Sequence, residues 1–237
     1  MSVRRFHGSI LALCSLMTFG CHSGKPSASG EAARPEDVTN FTTLYSQNCS
    51  GCHGADGQHG AAIALANPEY QAIVDEGTLH DVITNGEAGT LMPAFGTSAG
   101  GMLTDEQVNA LVSGMRARWY KADALAGADV PAYKASKQGD AAHGQEIFTS
   151  HCATCHTTGV QQGGKPGSVT DGSYLALVSD QTLRSIIIAG RPDIGHPDWR
   201  NALPGHPMSD QDVTDVVAWI ASQRQQTPGQ PYPVRTP

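Results

Sequence analysis

Two short strings constrain any fold this chain adopts: Cys49-Ser50-Gly51-Cys52-His53 and Cys152-Ala153-Thr154-Cys155-His156. Each reads C-x-x-C-H, and together they use four of the six cysteines in 237 residues. Two thiols three positions apart can form thioethers to the two vinyl groups of one porphyrin. The histidine directly after the second thiol then reaches the iron from the same side. Other uses of these residues explain less. A structural zinc site draws two C-x-x-C units from short separation, whereas about a hundred residues intervene here. A thioredoxin-like thiol pair has no need of the histidine. Disulfides within each string would leave two identically placed histidines without a reason. The reading that uses every residue is covalent attachment of two haems.

The other two cysteines lie near the start. Arg4 and Arg5 precede an apolar run over residues 10–19 that is too short to span a bilayer permanently. A stretch rich in Ser, Gly, Pro and Ala follows over residues 23–33, in the manner of a flexible tether. Residues 1–20 are therefore expected to be an export signal, with Cys14 discarded inside it. Cys21 follows Gly20 at the end of the run and resembles the cleavage site of a bacterial lipoprotein, where it would become the lipid-bearing residue. Thr18 and Phe19 depart from that pattern, so ordinary cleavage with a spare Cys21 is the alternative. A formal charge of −7, with no basic stripe, argues against a nucleic-acid partner.

The chain repeats itself. Residues 70–79 (YQAIVDEGTL) align with 174–183 (YLALVSDQTL), and 82–86 (VITNG) with 186–190 (IIIAG). Six residues beyond each glycine come Met92-Pro93-Ala94-Phe95 and His196-Pro197-Asp198-Trp199. A capped amphipathic helix is expected to close each half, starting at Thr104 and at Ser209. Its apolar stripes would be Val108, Leu111, Val112 and Met115, then Val213, Val216, Val217 and Ile220. Met102, just before Leu103, reads as packing at the helix entrance. Organisation follows: a tether over 21–37, one domain over 38–120, a linker over 121–138, a second domain over 139–224 and a Pro-rich tail over 225–237.

Both halves resemble class I cytochrome c domains, over nearly all of the chain beyond residue 37. The resemblance implies an all-α fold, with each small helical domain wrapped around one covalent haem. In that family a first helix ends at the C-x-x-C-H loop, a last helix packs across it, and a Met-Pro loop supplies the sixth ligand. By this resemblance Cys49, Cys52 and His53 bind haem one and Cys152, Cys155 and His156 bind haem two. His53 and Met92 become the axial ligands of the first iron, and His156 that of the second. Tyr45 and Phe148 each stand four residues before a first cysteine. Phe148 is placed to pack on Trp219, a pair missing from the first half, where Gly114 stands at the equivalent position.

The second half departs from the family at the sixth ligand, because His196 stands where Met92 does. Met208 is the alternative, although it aligns with Leu103. A bis-imidazole haem sits lower in potential than a thioether-ligated one. His59, His80, His143, His151 and His206 carry no motif and read as solvent-facing or hydrogen-bonded. The resemblance implies a one-electron carrier between a redox-protein donor and acceptor, with a membrane respiratory complex as one possible partner. The anchor at Cys21 would be its only tie to a membrane. Two other readings stay open: a diheme peroxidase-like enzyme, and a fixed cytochrome subunit of a larger quinol- or substrate-oxidising complex.

Overall fold

Helix starts in this chain are written as side-chain caps. Asn40, Asn67, Asp75 and Thr104 each accept a first-turn N–H in the first half. Asp140, Asp171, Ser179 and Ser209 do so in the second. Thr104 with Gln107, and Ser209 with Asp212, complete reciprocal capping boxes, so both closing helices begin where the sequence places them.

The computed structural model describes residues 34–156 and 167–225. The expected export signal, Cys21, nearly all of the tether and all but the first residue of the tail lie outside the described residues. The first half holds α1 (Phe41–Asn48), α2 (Ser50–His53), α3 (Pro68–Ile73), α4 (Glu76–Asn85) and α5 (Asp105–Trp119). The second holds α6 (Ala141–His151), α7 (Gly172–Leu175), α8 (Asp180–Ala189) and α9 (Asp210–Ser222). Among the described residues there is no strand beyond two isolated bridges, and the all-α expectation holds.

Both predicted stripes face inward. Val108, Leu111, Val112 and Met115 of α5 join Leu44, Tyr45, Tyr70, Leu79 and Ile83 in one core. Val216, Val217 and Ile220 of α9 join Phe148, Leu175 and Leu183 in another. A third cluster gathers Ile188, Trp199, Met208 and Val213. Met102 departs from expectation: it is 84% exposed, while Leu103 beside it is buried and takes the packing role. Consecutive residues entering a helix point in different directions, and only one of the two can face the core.

The crossing of first and last helix is solved in opposite ways in the two halves. In the first, Gly114 of α5 leaves room for the Phe41 ring of α1, whose Cδ2 would lie 2.1 Å from an added Cβ. Phe41, Tyr45 and Trp119 then pack mutually, with ring centroids 5.4 to 5.7 Å apart. In the second, the position equivalent to Phe41 is Gly144. The large partner there is Trp219 of α9, stacked on Phe148 at 4.4 Å as the sequence predicts. A Cβ on Gly144 would lie 2.0 Å from the Asp215 carbonyl oxygen. The ring-bearing and glycine positions are thus exchanged between the two helices: Phe41 and Gly114 in the first half, Trp219 and Gly144 in the second, where the glycine lies against the Asp215 main chain and the Trp219 Cβ.

The connecting stretch is strapped down. Leu125, Ala128 and Val130 pack on the third cluster, and Tyr133 on the first. Buried Arg184 donates to the carbonyls of Ala132 and Tyr133, to Thr214 and to Asp210. Each of the three guanidinium nitrogens thus has an acceptor.

Two predictions concern these crossings. Gly114→Ala meets a ring that can turn and should cost about 1–3 kcal/mol. Gly144→Ala meets main chain and should cost more. Denaturant unfolding of the haem-loaded protein ranks them, and a milder Gly144→Ala would refute this account of the crossing. The second concerns His143 of α6, whose Nδ1 lies 2.8 Å from Asp215 Oδ2 of α9. That bond raises the His143 pKa above its ordinary value. Burial pushes Asp215 up, but bonds from the Asp140 amide, His143 and Gln211 outweigh it and hold its pKa low. A raised histidine pKa stabilises the fold fully below about pH 6.5 and loses that contribution as pH climbs through the folded-state value. The stability gap between wild type and His143→Ala should therefore be widest near pH 5–6 and shrink above pH 7, as read by thermal unfolding. A gap that does not narrow would show the pair to be unimportant.

Candidate haem sites

α1 and α6 both stop at the residue before a first cysteine. Cys49 and Cys152 are the C-caps, with φ −116° and −118°, and their N–H groups still donate to Tyr45 and Phe148. From there the chain turns identically. His53 N–H donates to Cys49 O at 3.0 Å, and His156 N–H to Cys152 O at 2.8 Å. In each turn the first thiol is half-buried and the second exposed. Burial pushes the Cys49 and Cys152 thiols up to about 11, away from the thiolate that redox-active thiol pairs depend on.

The histidine of each C-x-x-C-H string is held by a carbonyl further along. The carbonyl of Ile63 lies 2.8 Å from His53 Nδ1, and that of Gly167 lies 3.2 Å from His156 Nδ1. A carbonyl only accepts, so Nδ1 carries the proton and Nε2 keeps a free lone pair. Metal-binding imidazoles are commonly oriented in this manner. His53 is buried, and its burial lowers the ring's pKa toward the neutral, ligating form.

The distal loops superpose the repeat on real geometry. Gly86 and Gly190, the C-caps of α4 and α8, have φ +69° and +68°. A Cβ on Gly86 would meet Met92 O, Pro93 C and Ala94 N within 2.7 Å, and one on Gly190 would meet His196 O, Pro197 C and Asp198 N at 2.9 Å. Met92 and His196 therefore occupy equivalent places, each on a loop folded against a glycine that tolerates neither a side chain nor another backbone shape. Met92 is pinned through its N–H to Thr90 Oγ1 and its carbonyl to the Glu87 amide.

His196 and Met208 have different surroundings. The His156 and His196 rings face each other with centroids 5.7 Å apart. Two nitrogen–metal bonds of about 2 Å, plus the ring radii, call for roughly 6 Å. Among the described residues His196 Nδ1 is buried without a hydrogen-bond partner, and burial lowers the ring's pKa, followed by the neighbouring His156. Met208 is 3% exposed and packs with Ile188, Trp199 and Val213. Its N–H donates to Trp199 O as that of Leu103 does to Phe95 O. Met208 is thus the structural counterpart of Leu103, as its place in the repeat predicts.

The motif-free histidines are hydrogen-bonded elsewhere. His80 pairs with Asp105, His143 with Asp215, and His151 with the carbonyl of His206. His59, at φ 61°, donates its amide to Asp193. The sequence reading overlooked three residues that join the halves. Asn67 donates from Nδ2 to Ala189 O at 2.8 Å. Glu87 accepts from the Ser179 and Thr182 hydroxyls at the start of α8. Arg191 donates to Gly60 O and Ala62 O in the loop after His53. One signal was available: Glu87 and Arg191 both follow the repeated glycine, with opposite charge.

Two family models match the chain. One, described as cytochrome c oxidase, cbb3-type, subunit III, covers residues 36–113, and one described as cytochrome c covers residues 141–224. The chain is a tandem c-type cytochrome. As such it carries two covalently bound haem c groups and serves electron transfer. The residues fit that cofactor on the geometry above: unpaired thiols at the right spacing, carbonyl-held imidazoles and, among the described residues, a buried imidazole nitrogen without a hydrogen-bond partner. No curated protein matches this cytochrome. Among solved structures, a chain of the Kuenenia stuttgartiensis reducing HAO-like protein complex is similar at 17% identity and a TM-score of 0.48. The similarity covers 81% of this cytochrome and 99% of that chain.

Proposed function

We propose that this cytochrome relays single electrons between two redox partners through haems of unequal potential. In this reading His53 and Met92 are the axial ligands of haem one, and His156 and His196 those of haem two. The observation that carries it is the pair of His156 and His196 rings, centroids 5.7 Å apart and tilted by 48°, with His196 Nδ1 buried and without a hydrogen-bond partner among the described residues. The haem irons supply one-electron ferric–ferrous chemistry. The protein residues decide how that chemistry is used. Met92 and His196 fill the sixth positions and keep oxygen and peroxide away. Met92 sulfur favours the reduced state at the first site, and His196 imidazole favours the oxidised state at the second. The second site would then be the stronger electron donor and the first the stronger acceptor.

With both sixth positions filled by protein, turnover of peroxide is not expected, which separates this reading from a diheme peroxidase. The match of residues 36–113 to a family named for an oxidase subunit favours a second reading, in which the protein is a fixed part of a larger complex. Copurification with such a complex distinguishes subunit from carrier.

The ligand assignment is tested by near-infrared magnetic circular dichroism and EPR on the oxidised protein. Wild type should show one Met–His and one bis-His haem. His196→Met should gain a second sulfur-to-iron band, and Met208→Leu should leave the spectrum unchanged. Two Met–His haems in wild type would sink the assignment, and a high-spin second haem would revive the enzyme. We further propose export and lipid anchoring at Cys21, supported by Arg4, Arg5 and the apolar run that ends at Gly20. Cys21→Ser is then expected to move the protein from the membrane fraction to the soluble one. Retention on the membrane would refute the anchor.

A further inference from the structure

Arg191 belongs to no ligand pattern, yet it is only 5% exposed and every nitrogen of its guanidinium is engaged. Nε and Nη2 form a fork on Asp193, at 2.9 and 2.8 Å. Nη1 donates to Ala62 O at 2.8 Å, and Nη2 also donates to Gly60 O at 3.0 Å. Those carbonyls lie in the loop that serves the first site. Ala62 N–H donates to Cys52 O, and the next carbonyl, that of Ile63, holds His53. The backbone of Arg191 serves the second site. It exchanges both main-chain hydrogen bonds with His196, at 3.0 and 2.9 Å. A short chain of bonds therefore runs from the His53 ring through Ile63 and Ala62, across the guanidinium, to the residue paired with His196. Asp193, its side chain also buried, ties His59 N–H of the same first-site loop to this charge.

We propose that Arg191 is a positioning residue shared by both haem sites, fixing the His53 loop against the His196 loop and setting one positive charge in the seam between the two loops that would hold the irons. This rests on the ligand assignment above. A cation held in a water-poor seam acts over several ångströms with little screening, and it disfavours the extra positive charge of the ferric state at either site. Asp193 offsets part of that charge. The planar fork matters as well as the charge, because a lysine ammonium cannot hold a carboxylate and two carbonyls in one plane.

The test is spectroelectrochemical titration of both haems in the full-length, haem-loaded protein, with interhaem transfer measured by flash photolysis. Arg191→Gln should lower both potentials, a drop of about three- to tenfold in each reduction equilibrium constant, or roughly 30–60 mV. Asp193→Asn should raise both. Arg191→Lys, which keeps the charge and is the gentler change should Arg191→Gln fold poorly, should hold both potentials near wild type while slowing interhaem transfer. A purely structural role would instead let water in and lower potentials in all three variants, and that result would overturn the proposal. So would a shift confined to one haem. EPR on the same samples keeps the two readings apart. If haem two proves not to be bis-His while Arg191→Gln and Asp193→Asn still shift both potentials oppositely, the ligand assignment fails and the shared charge stands.

Discussion

The structure depends on a turn of five residues and one hydrogen bond. From each first cysteine the chain curls so that the histidine N–H reaches back to the cysteine carbonyl, and a later carbonyl then fixes the imidazole from behind. Two thioethers and a held imidazole would fix a porphyrin through three side chains of one short stretch of chain. The helices need only enclose what is already placed. This helps a small domain, whose own apolar side chains bury limited area, and it fits a chain in which aromatic residues are 6% of the total.

Much of this was legible in the sequence because it is local. Caps, boxes and apolar periodicity act within one or two turns, so Thr104, Ser209 and the stripes of α5 and α9 could be read directly. The equivalence of Met92 with His196, and of Leu103 with Met208, was legible because the repeat has a fixed register from each glycine. The exposure of Met102 was not, since two adjacent apolar residues give no hint of which one turns inward.

What escaped the sequence is the set of contacts between elements distant along the chain. Arg116 donates to the carbonyls of Gln71 and Val74. Arg224 serves the equivalent carbonyls of Leu175 and Val178. Arg116 lies within α5 and Arg224 just beyond the end of α9, so no alignment pairs them. The seam is similar. Asn67, Glu87 and Arg191 each reach into the other half, and none carries a motif. Such residues satisfy polar groups that only the assembled fold buries, so their partners exist only once both halves are in place.

A duplicated chain faces a hazard that a single domain does not, because its first helix has two last helices to choose from. The ring-and-glycine crossings answer it. If α1 met α9, Phe41 would compete with Trp219 for space that holds one ring. If α6 met α5, Gly114 would stand at the Trp219 position and leave Phe148 without its ring partner. One wrong pairing is too full and the other too empty, and both costs are of the kind that core packing penalises by kilocalories. The two glycines thus make the end helices of each half a better fit to one another than to those of the other half.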